Sequence, residues 1–378
     1  MSALHRSPSR RGGALGAVAR SGAVMALALG TVVTAGAGTA ANAKATAVPS
    51  FTAYAYANKP TSNSYRPEKN YSFNSSGGGI KAKRKSTGVY LVTFFGLGSV
   101  AGHGTVDVSP EGFTAAECPV VKWGPDSTAA NLVVAVNCYT IAGAPLDTPY
   151  MVAFTSGGST TGDVDYVLAN KPTTSSYAPQ AAHSFNSSGG TNTINRAGTG
   201  NYEVIVPGPV VVGGSVKVTA YGAGSGGCQV VGWFAAAPGH HVNVVCFDGA
   251  GASADRRFTA TFVANDSLVG DGGSSGYVWG DNSAAASYTP NSTYQYDTVA
   301  TSATVNKLGT GQWSISFPSA GTGNTGDEQA TAYGSTDAHC IVDGPAGLLG
   351  GTQSADVFCF DNSGNPVDTT YTMQWWSK

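Results

Sequence analysis

Six cysteines provide the most obvious chemistry in this sequence, and they fall into three couples about twenty residues apart. The couples are Cys118 and Cys138, Cys228 and Cys246, and Cys340 and Cys359. A structural metal site would need closely spaced ligands such as Cys-x-x-Cys, and the sequence has none. Cysteines of an exported protein normally pair with one another. We therefore predict one disulfide within each couple.

Residues for catalysis are poorly represented. Nucleophilic hydrolysis needs a serine or cysteine beside a base, and the general base is most often histidine. Glycoside hydrolysis needs paired carboxylates. The candidate bases and acids are His103, His183, His240, His241, His339, Glu68, Glu111, Glu117, Glu203 and Glu328. None of them recurs at an equivalent position in a second part of the chain. We predict no catalytic residue, no cofactor and no enzymatic activity, with a hydrolase or hydrolase inhibitor as the remaining alternative.

Metal-binding combinations are also weak. His240 and His241 follow a Pro-Gly pair, which predicts an exposed turn, and adjacent residues of a strand face opposite ways. Asp337-Ala-His339 is the other dense combination. The stretch from Asp361 resembles a calcium loop but lacks the glycine at position six and the glutamate at position twelve, so a hairpin turn is preferred. We predict no metal site.

Aromatic side chains are the most suggestive candidates for ligand binding. Exposed tyrosine and tryptophan rings can stack on sugars and suit interfaces in general. Trp123 and Trp233 each lie five residues after the first cysteine of a couple, and one indole of Trp375-Trp376 is expected to face outward. We predict ligand-binding roles for Trp123, Trp233 and Trp376, with packing in a core as the alternative.

Lys81-Ala-Lys83-Arg84-Lys85 is the only basic cluster. Such a patch can attract teichoic acid, anionic lipid or polysaccharide. The alternative is an edge strand whose lysines prevent aggregation. Both interpretations stay open at this point.

Three internal repeats organise the chain. Ser64-Tyr65-x-Pro67 recurs as Ser176-Tyr177-x-Pro179 and Ser287-Tyr288-x-Pro290. A glycine precedes the first cysteine of every couple by six residues, and an acid follows the second by nine; these acids are Asp147, Asp255 and Asp368. A role in a turn, accepting backbone hydrogen bonds, is the preferred interpretation of the acids. We delimit copy 1 as residues 50–157, copy 2 as 163–266 and copy 3 as 274–378, separated by Gly-rich segments that predict flexible linkers.

Apolar residues alternate within each copy, as in Tyr202, Val204 and Val206. Period-two runs rich in Val, Tyr, Phe and Thr indicate half-buried strands, and Gly or Pro interrupts them every eight to twelve residues. The pattern predicts an all-β protein with three tandem antiparallel β-sandwich domains of about 100 residues, one disulfide each. A closed barrel is the less favoured alternative.

Residues 1–43 have the features of a signal peptide: a basic start without acids, an apolar Ala/Gly-rich run and a small-x-small cleavage site at Ala41-Asn42-Ala43. The sequence leaves open whether export is general or by the twin-arginine route. Without this segment the chain holds 16 basic and 22 acidic residues, which argues against nucleic-acid binding. No later segment is apolar enough to span a membrane. We predict a secreted, extracellular protein and make no prediction of its oligomeric state.

The motifs of copy 2 resemble those of secreted tandem-repeat β proteins of actinobacteria. The motifs are Ser-Phe-Asn-Ser-Ser-Gly-Gly at 184–190, Gly-Thr-Gly-x-Tyr at 198–202 and Val-Val-Cys-Phe-Asp at 244–248. Their order is also distantly similar to β-sandwich end modules of phage tail fibres and collagen-like proteins. That similarity implies adhesion or trimerisation and carries over no catalytic residue. The resulting hypothesis is a non-catalytic adhesion protein that binds carbohydrate or a cell-surface polymer, with a structural envelope or matrix protein as the alternative.

Overall fold

The structure is a computed structural model that describes residues 50–159, 162–268, 273–321, 325–344, 347–349 and 351–378. These residues belong to one compact unit. The predicted signal peptide, residues 1–43, lies outside the described residues. The described part of the chain is all-β, with short 3-10 turns and no α-helix. It contains no helix that could span a membrane.

Each copy forms nine to eleven strands. Copy 1 has β1 Phe51–Ala57, β2 Ser64–Tyr65, β3 Ser72–Asn74, β4 Ile80–Ser86, β5 Val89–Phe95, β6 Thr105–Pro110, β7 Ala116–Glu117, β8 Val120–Pro125, β9 Asn131–Asn137, β10 Tyr139–Thr140 and β11 Tyr150–Ser156. Copy 2 has β12 Asp163–Ala169, β13 Ser176–Tyr177, β14 Ser184–Phe185, β15 Thr193–Gly198, β16 Asn201–Pro207, β17 Ser215–Tyr221, β18 Cys228–Ala236, β19 Gly239–Cys246 and β20 Arg257–Ala264. Copy 3 has β21 Ser274–Gly280, β22 Ser287–Tyr288, β23 Gln295–Asp297, β24 Thr304–Gly309, β25 Gln312–Phe317, β26 Asp327–Tyr333, β27 Ala338–Val342, β28 Gly347–Leu349, β29 Thr352–Asp361 and β30 Thr370–Ser377. The 3-10 turns are Lys69–Tyr71, Gly98–Val100, Ala181–His183 and Ser292–Tyr294.

Alternating burial explains why these segments are strands. In β16 the side chains of Tyr202, Val204 and Val206 are buried, and the residues between them are partly exposed. The hairpin from β15 to β16 turns at Gly200, which has φ of +70°, a value that favours glycine. A Cβ there would lie 2.6 Å from the carbonyl oxygen of Cys246. Steric and conformational limits therefore both require glycine at this turn.

The strands of each copy contribute to two main sheets, and β7 and β10 of copy 1 form a separate two-stranded sheet. One part has four strands, in the order β3-β1-β11-β6 in copy 1, β14-β12-β20-β17 in copy 2 and β26-β30-β21-β23 in copy 3. The other has five, in the order β8-β9-β5-β4-β2, β13-β15-β16-β19-β18 and β22-β24-β25-β29-β27. Side chains from both parts of copy 1 form one apolar core, which includes Ala55, Val108, Val134 and Phe154. Copies 2 and 3 have equivalent cores.

The copies are joined by parallel main-chain contacts, whereas pairing within a copy is antiparallel. β17 of copy 2 pairs with β8 of copy 1, and β26 of copy 3 pairs with β18 of copy 2, so that two nine-stranded sheets each cross a copy boundary. Glu111 of copy 1 forms a parallel bridge with Val342 of copy 3. The predicted antiparallel pairing is observed within each copy, and the sequence pattern does not predict the parallel contacts between copies.

Three equivalent hydrogen bonds close the copies into a ring. The amide of Gly222 donates to the carbonyl of Val120, that of Gly334 to Val230, and that of Gly112 to Val342, at 2.8 to 2.9 Å. Each bond links one copy to the next, and the third links copy 1 to copy 3. Together the three bonds form a closed cycle, so the copies are related by pseudo-threefold symmetry within one chain.

Several residues at the two junctions between copies are buried and hydrogen-bonded. Ser159, Asp266 and Leu268 are each less than 8% exposed. Ser159 donates a hydrogen bond to the Asp266 carboxylate, which also accepts one from the amide of Gly162. The sequence predicts flexible linkers, whereas these residues are packed, and the hydrogen bond from Ser159 to Asp266 joins the two junctions.

Candidate functional site

The predicted disulfides are confirmed in all three couples: Cys118–Cys138, Cys228–Cys246 and Cys340–Cys359. In copy 2 the two cysteines are direct cross-strand partners on β18 and β19, and in copy 3 they face each other on β27 and β29. All six residues are buried. The bonds of copies 2 and 3 join neighbouring strands, and in copy 1 Cys118 and Cys138 lie just outside the strands.

The acid shared by the copies has a structural role, as predicted. The Asp255 carboxylate accepts hydrogen bonds from the amide of Gly200 and the hydroxyl of Tyr202, and it pairs with Arg196 at 2.8 Å. Asp147 makes the same contacts in copy 1, and Asp368 accepts from Gly311 and pairs with Lys307 in copy 3. Hydrogen bonds from arginine lower the pKa of Asp147 and of Asp255 to about 2.

Trp233 lies at a boundary between copies. Its ring centroid is 5.4 to 5.8 Å from those of Trp279, Tyr294 and Tyr333, all in copy 3, and its indole N–H donates to the carbonyl of Gly213. Only 8% of the residue is exposed. Trp233 therefore packs copy 2 against copy 3.

Trp123 occupies the equivalent place between copies 1 and 2. Its ring makes edge contacts with His183 and Tyr221 of copy 2, and its N–H donates to the carbonyl of His103. The ring is half-buried and also lines a groove on the outside of copy 1. One edge of Trp123 is thus available to a ligand.

Trp376 is fully buried, as is Trp375. Trp376 packs with Tyr54, Ala153 and Leu268, whereas Trp375 belongs to the copy 3 core. The prediction that one of these indoles faces outward is wrong. Both faces of β30 are covered, one by its own copy and the other by copy 1 and the second linker.

Polar side chains fill the centre of the ring. Asp107, Lys217 and Gln329 occupy equivalent positions on β6, β17 and β26, and all three are buried. Lys217 donates to the Ser109 hydroxyl and to the Ala330 carbonyl. Asp107 accepts from three threonine hydroxyls of copy 2, those of Thr219, Thr259 and Thr261. This axial layer combines one acid, one base and one neutral amide.

A second set of equivalent bonds lies beside the axial layer. The amide of Val108 donates to the Thr219 hydroxyl, that of Val218 to Thr331, and that of Ala330 to Ser109, at 2.9 to 3.2 Å. Every donor and acceptor belong to different copies. Sequence reasoning missed this contact, and the hydroxyl residue that recurs three positions before the shared glycine was its signal.

An axial cavity of about 80 Å³ opens at the disulfide end of the ring. Among its lining residues are Glu117 and His339, which precede the first cysteines of copies 1 and 3. Glu117 Oε1 lies 3.3 Å from His339 Nδ1, and Asp337 lies 3.5 Å from Nε2 of the same ring. The amide of Gly226 donates to Glu117 at 2.6 Å. The cavity thus collects side chains that differ among the copies.

Burial controls the charges around the axial cavity. It raises the pKa of Glu117 to about 7 and that of Asp337 to about 6, and it lowers the pKa of His339 to about 4. Near pH 6 the ring of His339 is neutral and Glu117 carries a proton. Among the described residues, no group of three or more His, Cys, Asp or Glu side chains could hold a metal ion.

His240 and His241 lie in β19 rather than in an exposed turn, and both are buried. They face opposite sides of the sheet, as adjacent strand residues must. His240 packs 4.2 Å from the ring of Phe262, and His241 Nδ1 lies 2.9 Å from Glu203. The exposed-turn prediction is wrong because the strand begins at Gly239. Asp361 forms the predicted hairpin turn, where its carboxylate accepts hydrogen bonds from the backbone amides of Ser363 and Asn365.

The outer face of copy 1 carries a separate cluster, here called the lysine face and defined as Lys81, Lys83, Lys122, Leu91 and Val133. Lys83 pairs with Leu91 across β4 and β5, and Lys81 pairs with Thr93. Val133 is on β9 and Lys122 is on β8 beyond it. The three lysines are exposed.

A groove of about 260 Å³ crosses the lysine face. Leu91, Val133 and Ala135 form its apolar floor, and Lys122 and Trp123 form one side. A register shift between Val120 and Lys122 bends β8 at this point. The groove thus combines cations, an apolar floor and the accessible edge of Trp123.

A comparison of the chain with protein-family models, curated proteins and solved structures finds no match. The function therefore has to be argued from the geometry of the chain itself.

Proposed function

We propose that this protein is a secreted, non-catalytic binding or adhesion protein that recognises carbohydrate or a cell-surface polymer. In this proposal each copy is a β-sandwich, and the three copies form one rigid head with differing outer faces. The observation that carries the proposal is the closed ring. It places Trp233 and Trp376 between copies, and it leaves side chains specific to copy 1, such as Lys81, Lys83 and Lys122, on the outside.

Export is supported by the three disulfides, because such bonds persist in oxidising compartments. The disulfides also suit a head that must keep its shape outside the cell. Closing a loop of about twenty residues stabilises a folded protein by roughly 3 kcal/mol. Rigidity favours binding, since little conformational entropy is lost when the ligand attaches.

The copies differ strongly in charge. Copy 1 has eight basic and six acidic residues, whereas copy 3 has two basic and nine acidic residues. At the position of Leu91 in copy 1, copy 2 has Glu203 and copy 3 has Ser314. Avidity through three flexible, identical sites does not fit this arrangement. One specialised face on a rigid support fits it better.

Retention on insoluble polymers tests the proposal. The full-length mature protein is incubated with chitin, cellulose and peptidoglycan and with intact bacterial walls, and a glycan array extends the search. We expect saturable retention on at least one of these materials. Retention no greater than that of a disulfide-bonded β protein of similar charge, on every material, would overturn the proposal.

Exposed apolar residues favour a second candidate, a structural protein that assembles with its own kind. Val210, Val211 and Val212 are each more than half exposed in one loop of copy 2. Contiguous exposed apolar residues are typical of association sites. Size-exclusion chromatography over a range of concentrations separates the candidates, because a monomer at every concentration contradicts self-assembly.

A further inference from the structure

We infer that the lysine face of copy 1 is the polymer-binding surface of the protein, and that its ligand is a linear polyanion with phosphodiester-linked polyol or sugar units. This inference rests on the proposed binding function and names its ligand class. It is carried by the position of the lysines, by the absence of lysine at the equivalent positions of the other two copies and by the groove that Lys122 and Leu91 line.

Lys122 lines the groove, and Lys83 is the cross-strand partner of Leu91, which lines it as well. Lys81 and Lys83 are two residues apart on β4 and project from the same face, at a spacing of about 6.6 Å. Lys122 is three strands away, which corresponds to about 14 Å. A chain with regularly repeated negative charges can contact cations on both sides as it crosses the floor formed by Leu91 and Val133.

Protection of a sheet edge does not explain the lysines. β4, β15 and β24 occupy the same place in their sheets. Each has a two-residue strand as its outer neighbour, at the edge of the sheet. The positions of Lys81 and Lys83 are taken by Thr193 and Asn195 in copy 2 and by Thr304 and Asn306 in copy 3. Since two copies keep the same edge without lysine at these two positions, the fold does not require the positive charges of Lys81 and Lys83.

The lysine face lacks a free countercharge. Asp126 is the one acid among the residues that line the groove, and its carboxylate is occupied by Thr128 and Asn131 within its own turn. By contrast, Arg84 points away to its pair with Asp147. The ammonium groups of Lys81, Lys83 and Lys122 make no ion pair within 4 Å among the described residues.

Phosphodiesters fit this chemistry. They stay ionised at every physiological pH, and lysine binds phosphate as a mobile point charge. The apolar floor and the edge of Trp123 suit the carbon backbone of a polyol or the face of a sugar. A neutral glycan would leave the ammonium groups without partners.

The chain supplies its own matched variants. K81T/K83N places in copy 1 the residues that copies 2 and 3 already have, so the fold should tolerate both. K69A/K171N removes the same charge elsewhere, and each new residue again occurs at the equivalent position of another copy, Ala181 and Asn282. Lys69 and Lys171 are both exposed.

Binding of the full-length protein to purified poly(glycerol phosphate) is measured by calorimetry at two salt concentrations. Retention is measured in parallel on bacterial walls before and after removal of phosphodiester polymers. We expect K81T/K83N to weaken binding at least about tenfold and K69A/K171N to change it less than about threefold. We also expect binding to weaken as salt rises from 50 to 500 mM, because exposed charges are screened.

The outcomes separate this inference from the proposed function. Equal weakening by both double variants would overturn the lysine face as the site. Retention on chitin, cellulose or phosphate-free walls without binding to the phosphate polymer would overturn the inference and leave the proposed function standing. Preference for a uronate polymer at equal charge would overturn the phosphodiester assignment. Binding to none of these materials would overturn both.

Discussion

The hydroxyl of Tyr54 accepts a hydrogen bond from the backbone amide of Lys378, 3.0 Å away and 324 residues later in the sequence. The equivalent Tyr166 accepts from the amide of Gly157, and Tyr277 accepts from that of Asn265. In each case the tyrosine hydroxyl of one copy accepts a hydrogen bond from the backbone amide of the residue that follows the last strand of another copy. The junction between copies 3 and 1 therefore has the same geometry as the two junctions that a linker spans.

This equivalence predicts that the chain tolerates circular permutation. Joining Lys378 to residue 50 by a short Gly-Ser linker, and opening the chain between copies 2 and 3, should give a protein that unfolds within a few degrees of the parent and forms all three disulfides. Thermal unfolding and thiol titration measure this. A permutant opened inside β17 is the control and should not fold, because β17 contributes to the axis. Failure of the first permutant would show that the third junction is not equivalent.

Replacement of Trp233 by alanine should destabilise the protein by about 3 to 5 kcal/mol, because the ring is buried between copies 2 and 3. Trp123→Ala should lower the free energy of unfolding by less, since that ring is only half-buried. Urea unfolding measures both. If Trp233→Ala instead kept its stability and lost ligand retention, Trp233 would be a binding residue and its assignment to the boundary between copies would be incorrect.

Replacement of Lys217 by methionine should cost about 3 to 5 kcal/mol, because it leaves the buried Asp107 carboxylate without the nearby positive charge. K217M/D107N should recover a large part of this loss, since asparagine is neutral and can still accept from Thr261. Free energies of unfolding for the parent, both single variants and the double variant give the coupling energy. Additive effects of the two substitutions would contradict electrostatic coupling across the axis.

Replacement of Glu117 by glutamine should change how stability depends on pH. Burial raises the folded-state pKa of Glu117 from 4.5 to about 7, so the folded protein binds more protons than the unfolded chain in this window. The contribution of Glu117 is present below pH 4.5 and is lost as the pH rises through 7. E117Q should match the parent at pH 4.5 and exceed it by about 3 kcal/mol at pH 8.

His339 opposes Glu117 in the parent protein. Burial lowers the pKa of His339 from 6.5 to about 4, so its contribution is lost as the pH falls from 6.5 towards 4. The comparison of E117Q with the parent at pH 8 is free of this effect, because His339 is neutral in both the folded and the unfolded protein at that pH. A constant stability difference between pH 4.5 and pH 8 would contradict the buried, protonated state of Glu117.

Local patterns were sufficient to predict the strands and the disulfides. Alternating Tyr202, Val204 and Val206 mark a strand because side chains of a strand alternate between faces. The cysteine couples could be paired because each couple recurs at one place in the repeat. The role of Asp255 was also predictable, since the acid follows a turn and its contacts involve its own copy. In each case the decisive information is periodic or close in sequence.

The roles of the tryptophans could not be predicted, because a repeat does not reveal which of its surfaces meet. Trp233 and Trp376 resemble exposed binding residues in sequence, and the packing of neighbouring copies buries them. The linkers were misjudged for the same reason. Their Gly-rich composition indicates flexibility. In the structure, however, the Asp266 carboxylate accepts hydrogen bonds from Ser159 and Gly162 and holds them in one packed junction.

The sequence by itself determined the repeated strands, their spacing and the three covalent pairs, because these depend on alternation along one copy. The tertiary structure decided which face of each sheet is solvated. Asp107, Lys217 and Gln329 stand at alternating polar positions that favour solvent, yet they are buried where three copies meet, and both Asp107 and Lys217 make hydrogen bonds to residues of another copy. A polar side chain can be buried when another copy completes its hydrogen bonds, and only the assembled ring contains that partner.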